Sequence, residues 1–522
     1  MNWKKGSTLV AAASMLAALA AGCGSGDSGT KTAGTSSSPA ASGSVSPSAS
    51  AAPAVPVKKT YTMLTESQAN WPYSKDWPVW KWLEEKTGAT FDVQLPSGKI
   101  EDSLNLAIAS GNMPDMMYMP NRTYANKYGQ QGALVNILEY KDQMPNFKKW
   151  MEKYPKVTES FLSSDGKLYL FPNEGFGETN RTIWLYREDI FKKNNLKPPT
   201  TYDELYAVGK KLKELYPASY PFSFRFGMTA MLNMAPNFST SEAYYTDEKT
   251  KEVKYGPTDD NYKKMVEYLN KFYEEGLIPP DWLTLETKQW QDLLSTDKAF
   301  ITVDYIGRID FFNSALRKEK PGFNMAFMAP PAGIAGGKQQ NPYTQVIDVG
   351  FAVSSKSKNV KDLMKVMDFY YSEEGRDMLS WGKEGETFTM ENGKKKIKAD
   401  KFTDVADMRK KTGLATFGTY AWIDYDAHLS LASKELQAAY AEARKFDSVY
   451  QPKPAYNEKE TEVISTTGTE IDKYRDEQIS KFILGEKNLE DWSKYVDGIN
   501  KLGLKQVTDI YKAALERTAK AK

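Results

Sequence analysis

Residues 100–119 read IEDSLNLAIASGNMPDMMYM, and two periodicities meet inside them. Ile100, Leu104 and Ile108 recur at the spacing of one helix face. Gly111 supplies the stop such a helix needs, and Met116 to Met119 is an apolar run of strand length. The same alternation extends upstream. WPVWKWLEEKTG (77–88) sets Trp77, Trp80 and Leu83 at helical spacing and ends on Gly88, between the strand-like KTYTML (59–64) and ATFDVQL (89–95). Strand, helix, strand, helix, strand predicts parallel pairing through right-handed crossovers, because a strand returning in the same direction needs a helix to bring it back. The opening region is expected to be an α/β lobe.

Downstream the logic repeats. TIWLYREDIFKKNNLKPPTTYDELYAVGKKLKELYP (182–217) passes from a strand through a short helix to Thr201 and Glu204, a capping box. The helix it opens turns Leu205, Val208, Leu212 and Leu215 inward. In NYKKMVEYLNKFYEEGLIPP (261–280), Met265, Tyr268, Leu269 and Phe272 share a face, with Gly276 as the stop and Pro279 beyond it. LEDWSKYVDGINKLGLKQVTDIYKAALER (489–517) gives two helices around Gly503, the first buried through Trp492, Tyr495, Val496 and Ile499.

Composition bounds the function. The 522 residues carry 69 Lys and Arg against 67 Asp and Glu, so no clustered basic surface, and no nucleic-acid partner, is expected. Aromatics are abundant, with 12 Trp, 31 Tyr and 23 Phe. A single histidine, His428, and a single cysteine, Cys23, exclude an intrachain disulfide and make a zinc site improbable. No Gly-x-Ser-x-Gly elbow, His-Glu-x-x-His or Gly-Lys-Ser/Thr motif is present, so no enzyme activity and no cofactor is expected. The carboxylates Asp304, Glu384 and Glu386 leave a glycosidase as the alternative, since such enzymes need two carboxyl groups about 5–9.5 Å apart.

The N-terminus explains the lone thiol. Lys4 and Lys5 precede an apolar run from Leu9 to Ala21 broken by Ser14, shorter than the roughly 20 residues of a membrane-spanning helix. It reads as a secretory signal, residues 1–22. Leu19-Ala20-Ala21-Gly22 before Cys23 resembles the lipobox of bacterial lipoproteins, although that family prefers Leu where Ala20 stands. The resemblance implies that Cys23 is lipidated and becomes the mature N-terminus. Residues 23–58 then form a Ser, Ala, Pro and Gly tether with too little apolar surface to order itself.

After the tether, LAIASGNMPDMMYM, GALVNILEY, DGKLYLFP, LYREDIFKKNNLKPPTTYDEL, FYEEGLIPP, MAPPAG, VGFAVSSKSKN and WGKEGETF occur in that order. This series resembles the extracellular solute-binding proteins of ABC importers, particularly the large Gram-positive lipoproteins assigned to sugar uptake. The resemblance implies an α/β, two-lobed, periplasmic-binding-protein-like (class II) fold with hinge strands between the lobes. It places crossings near Phe171 to Gly177, Met328 to Gly333 and Gly382 to Phe388, each a Gly or Pro-rich break suited to a hinge. The lobes become 59–172 plus 333–382, and 173–332 plus 383–522. Some relatives carry a calcium loop after the helix matching 201–215; here KELYPASYPFSF (213–224) lacks alternating oxygen ligands, so no metal is expected.

In such a body the ligand lies between the lobes, touched by loops at the carboxyl ends of strands. Those loops offer Trp71, Tyr73, Asn121, Glu178, Asn180, Arg181, Arg225, Asp304, Tyr305, Arg308, Trp381, Glu384 and Trp422, with Tyr420 beside the last. Sugars present flat CH faces and a rim of hydroxyls, so a sugar cleft wants aromatic platforms beside donors and carboxylate acceptors. Arg225 and Arg308 taken singly read as structural ion pairs; if both face the cleft, an acidic saccharide such as a uronate oligomer is the expected ligand. The expectation is a monomeric receptor on the outer face of a Gram-positive cell membrane that passes an oligosaccharide to an ABC permease. Peptides or other solutes remain alternative ligands.

Overall fold

The computed structural model describes residues 58–179, 181–419 and 421–520. Cys23, the signal and the tether before residue 58 lie outside these, as do Asn180 and Tyr420.

The strands in chain order are β1 (Lys59–Leu64), β2 (Ala89–Gln94), β3 (Met116–Met119), β4 (Phe171–Glu174), β5 (Thr182–Arg187), β6 (Tyr244–Thr246) and β7 (Val253–Tyr255). After these come β8 (Ile301–Tyr305), β9 (Met325–Met328), β10 (Val346–Val353), β11 (Phe388–Glu391) and β12 (Lys394–Ile397). The first sheet has the order β2-β1-β3-β10-β4. β1 is parallel to both β2 and β3, through helices that end at the left-handed residues Gly88 and Gly111. β10 runs antiparallel to β3 and β4. It follows that β1, β3 and β4 point the same way and end on one edge.

The second sheet, β8-β5-β9, is antiparallel throughout. Alternation along β5 decides how it is covered: Trp184 and Tyr186 enter one core, Ile183 and Leu185 the core on the opposite face. The helices Tyr202–Leu215 and Asp260–Glu274 pack in the first of these, burying Leu205, Leu212, Met265, Leu269 and Phe272. Thr201 caps the former by accepting from Glu204 N, but the expected box is only half formed, because the Glu204 carboxylate accepts from Thr200 N and Oγ1 rather than from Thr201 N.

Packing corrects two of the expected lobe boundaries. The first core gathers 61–171 with 346–427, including Phe388, Ile397, Phe402 and Met408. Residues 388–427, expected in the second lobe, therefore belong to the first. Gly382 is a real break, the C-cap of the helix Glu373–Trp381, but the β11-β12 hairpin after it folds back onto the same core. The crossing falls between Leu431, packed on the first core, and Leu436, buried in the second body. The return crossing also comes late. Ala332 still pairs with Thr201 and Ile334 still packs on the second body, so the chain changes lobes between 335 and 345. The first crossing lies where expected, between Glu174 of β4 and Thr182 of β5. There Gly175 has φ 94°, and a Cβ on Gly177 would stand 2.0 Å from the Thr344 carbonyl oxygen. Only glycine allows the outgoing and returning segments to touch so closely.

Candidate ligand cleft

The first crossing fixes which edges face each other. β4 ends and β5 begins there, so the C-terminal ends of β1, β3 and β4 meet the edge holding the start of β5 and the ends of β8 and β9. The loops after β1 and β3 leave the first of these edges, and residues 305–308 with the 223–226 segment beside β8 stand on the second.

The second-lobe wall is built on a buried carboxylate. Asp304, on the β8 face that also carries Thr302 and its partner Trp290, is fully buried. Arg225 grips it with two bonds, Nε to Oδ2 at 2.6 Å and Nη2 to Oδ1 at 3.0 Å. Arg308 Nε reaches Oδ1 at 2.9 Å. Two guanidiniums on one carboxylate leave a net positive charge at the strand end. Arg225 also lies 3.9 Å from the ring centroid of Phe226, which is 44% exposed and holds φ 77°. Tyr305 stands beside both arginines, at 5.4 Å and 6.0 Å. Arg225, Asp304, Tyr305 and Arg308 are thus brought together, and Phe226 is an addition that its place after Arg225 could have suggested.

At the crossing, Glu178 and Arg181 form a buried pair, with Arg181 Nη2 2.7 Å from Glu178 Oε1. Arg181 also donates to Asp447, and Glu178 accepts from Thr344 Oγ1 at 3.0 Å and lies 3.3 Å from Arg444 Nη2. One network therefore ties the outgoing segment, the returning segment and residues 444–447. Burial alone would raise the Glu178 carboxyl, but Arg181, with Arg444, holds it below its ordinary value. Trp422 pairs with Glu174 along the backbone and lies between Lys153, at 5.3 Å, and Arg376, at 4.9 Å. Glu178, Arg181 and Trp422 all line a cavity of about 430 Å³.

Asn121, Tyr73 and Trp381 carry contacts within the first lobe. Asn121 caps the helix Arg122–Gln130 by accepting from Tyr124 N at 3.0 Å. Tyr73 packs against Trp77 and Trp80. Trp381 is first-lobe core, with Nε1 donating to Asp424 at 2.9 Å. Glu384 is exposed in the turn before β11. Trp71 is half-buried after β1, with the Arg409 guanidinium 4.7 Å from its ring centroid.

Sequence reasoning missed a cavity of about 790 Å³ between the lobes. Arg122 and Asp348 line it from the first lobe, Tyr244, Tyr245 and Glu242 from the second, and Tyr343, Tyr450 and Tyr456 from the connecting segments. It shares no lining residue with the Arg225 cluster. Burial pushes the Glu242 carboxyl up to about 7 against the pull of Arg475. Those tyrosines come from separate segments with no common period. Among the described residues, no three His, Cys, Asp or Glu side chains gather to hold a metal ion.

Two α/β lobes joined by crossing segments, with charged and aromatic side chains along facing edges, define a ligand-capturing protein of the two-lobed class. The chain belongs to the bacterial extracellular solute-binding proteins, whose family model matches residues 81–381. It is 26% identical over 456 residues to the polygalacturonan/rhamnogalacturonan-binding protein YtcQ of Bacillus subtilis, covering 84% of this chain and 88% of that one. It is 23% identical over 359 residues to the fructooligosaccharide ABC transporter substrate-binding protein FusA of Streptococcus pneumoniae, covering 63% and 64%. The crystal structure of the alginate-binding protein AlgQ2 without calcium ion superposes with a TM-score of 0.71 at 25% identity, covering 88% of this chain and 98% of that one.

Proposed function

We propose that this protein is a lipid-anchored receptor that captures an acidic oligosaccharide between its lobes and delivers it to an ABC transporter permease. The observation that carries the reading is the Arg225–Asp304–Arg308 cluster on the cleft-facing edge, net positive and flanked by Phe226 and Tyr305. Aromatic faces receive the CH surfaces of sugar rings, and a surplus guanidinium charge favours a sugar bearing carboxylates over a neutral one. YtcQ and AlgQ2 carry names that specify polygalacturonan, rhamnogalacturonan and alginate, all acidic polymers, which supports the same class. Ligand touching both edges favours closure through contacts absent when the lobes are apart.

Both oxygens of Asp304 accept from guanidiniums and the side chain is fully buried, so neither oxygen is placed to attack a sugar or to serve a leaving group. That favours capture over hydrolysis. Cys23, lipidated, would hold the receptor on the outer membrane face, with the tether giving it reach.

The test is calorimetry and thermal shift of the full-length chain in mild detergent against oligogalacturonates, alginate oligomers and fructooligosaccharides, with chromatography of the sugars after long incubation. Saturation at about 100 times the dissociation constant adds about 2.7 kcal/mol of stability. The expected result is a shift with acidic oligomers that remain intact. A preference for fructooligosaccharides would overturn the acidic class, and shortened products would overturn capture. Replacing Cys23 with Ala should release the protein into the medium; retention on cells would refute the anchor.

A further inference from the structure

Arg409 sits on the helix Val405–Thr412, which Asp404 caps and which docks on the loop after β1 through Trp77 Nε1 donating to Lys410 O at 2.8 Å. Its side chain is 4% exposed, yet Nε and Nη2 are sealed from solvent with no partner among the described residues. Trp71 Nε1 beside it is equally unpartnered. Arg181, Arg187 and Arg225, comparably buried, each hold at least one carboxylate. His428 brings no compensating charge, since burial and the Arg409 charge hold it neutral, and both its nitrogens are also unpartnered. A buried charge without a partner is costly, so one that a folded chain keeps calls for an explanation, and a ligand that completes it supplies one.

We infer that Arg409 and Trp71 form a carboxylate-binding subsite of the cleft, filled by a uronate carboxyl group of the bound saccharide. Nε and Nη2 are the side-on fork of a guanidinium, the pair that meets both oxygens of one carboxylate, and Trp71 Nε1 is a third donor. Trp71 follows β1, so the subsite belongs to the edge where β1, β3 and β4 end, the edge that meets the start of β5 and the ends of β8 and β9; its donors are covered in the empty protein, and a ligand reaches them by displacing the Trp71 ring. This inference rests on the acidic-oligosaccharide reading and adds the residues that would recognise the acid.

The test titrates the full-length chain in detergent with trigalacturonate and with its methyl ester, for the wild type, Arg409→Gln and Arg409→Lys. Losing one side of a buried charged pair predicts that Arg409→Gln weakens trigalacturonate binding by about 30-fold or more. Ester binding should be unchanged, and Arg409→Lys should fall between, keeping the charge without the fork. Unliganded Arg409→Gln should melt higher than wild type, because an unpaired buried charge has been removed. If Arg409→Gln binds trigalacturonate like wild type, or melts lower and loses acid and ester equally, Arg409 is a packing residue and the inference fails while the sugar reading stands. If the wild type binds neither compound, both fall together.

Discussion

Arg225 and Arg409 stand on the two facing edges, buried to 6% and 4% exposure, each stacked on an aromatic ring, Phe226 for one and Trp71 for the other. They differ in one respect: Arg225 has Asp304 and Arg409 has no carboxylate among the described residues. The fold thus completes the charge of one wall and leaves the other open. A paired guanidinium costs little to keep and works as scaffold and field, whereas an open one holds specificity at the expense of stability in the empty protein.

The sharpest way to break this contrast is to make Arg225 resemble Arg409. Asp304→Asn leaves Arg225 and Arg308 facing a neutral amide in a fully buried site. Unfolding by urea should show a loss of about 3–5 kcal/mol, the cost of stranding a buried charge. A loss below about 1 kcal/mol would mean that Arg225 needs no partner, and the contrast with Arg409 would lose its meaning.

A smaller effect is expected at the crossing, where Arg181 is the opposite extreme, one guanidinium with two carboxylates. Glu178 is held below its ordinary value despite burial. Its contribution is therefore fully present above the unfolded-state pKa, near 4.5, and is lost as pH falls through the lower folded-state value. Glu178→Gln should cost about 2 kcal/mol at neutral pH and flatten the acid side of the stability profile. An unchanged acid limb would show that Asp447 alone serves Arg181.

These partners mark how far the sequence could be read. The parallel pairing of β1 with β2 and β3 and the helix stops were legible, though not the strand order, because apolar spacing and glycines are local signals. The cluster at Asp304 was half legible: the loop residues could be named, but not that one carboxylate serves two arginines from segments 79 and 4 positions away. The third crossing was misplaced because a Gly-rich break such as Gly382 shows that the chain turns, not toward which core. Arg409 gave no signal at all. It lies in MRKKTG as one of four adjacent basic or polar residues, and only packing sets it apart, burying it behind Trp71 while Lys410 and Lys411 stay exposed.

The smallest expected effect separates platform from clamp. Phe226 covers Arg225 and is 44% exposed, so Phe226→Leu removes a ring from a guanidinium already held by Asp304 and Thr287. Stability should change by no more than about 0.5 kcal/mol, the scale of surface substitutions. What it should lose is a flat face for a sugar, worth about 1 kcal/mol, so that acidic and esterified oligomers weaken alike by about 5-fold. The paired substitution Trp71→Phe keeps a ring and removes only Nε1, so it should weaken the acid selectively and spare the ester. Calorimetry on both variants with both sugars reads the difference directly. Equal losses for acid and ester at Trp71→Phe would place Trp71 with Phe226 as a second platform, and the two edges would then differ in stability alone rather than in what they recognise.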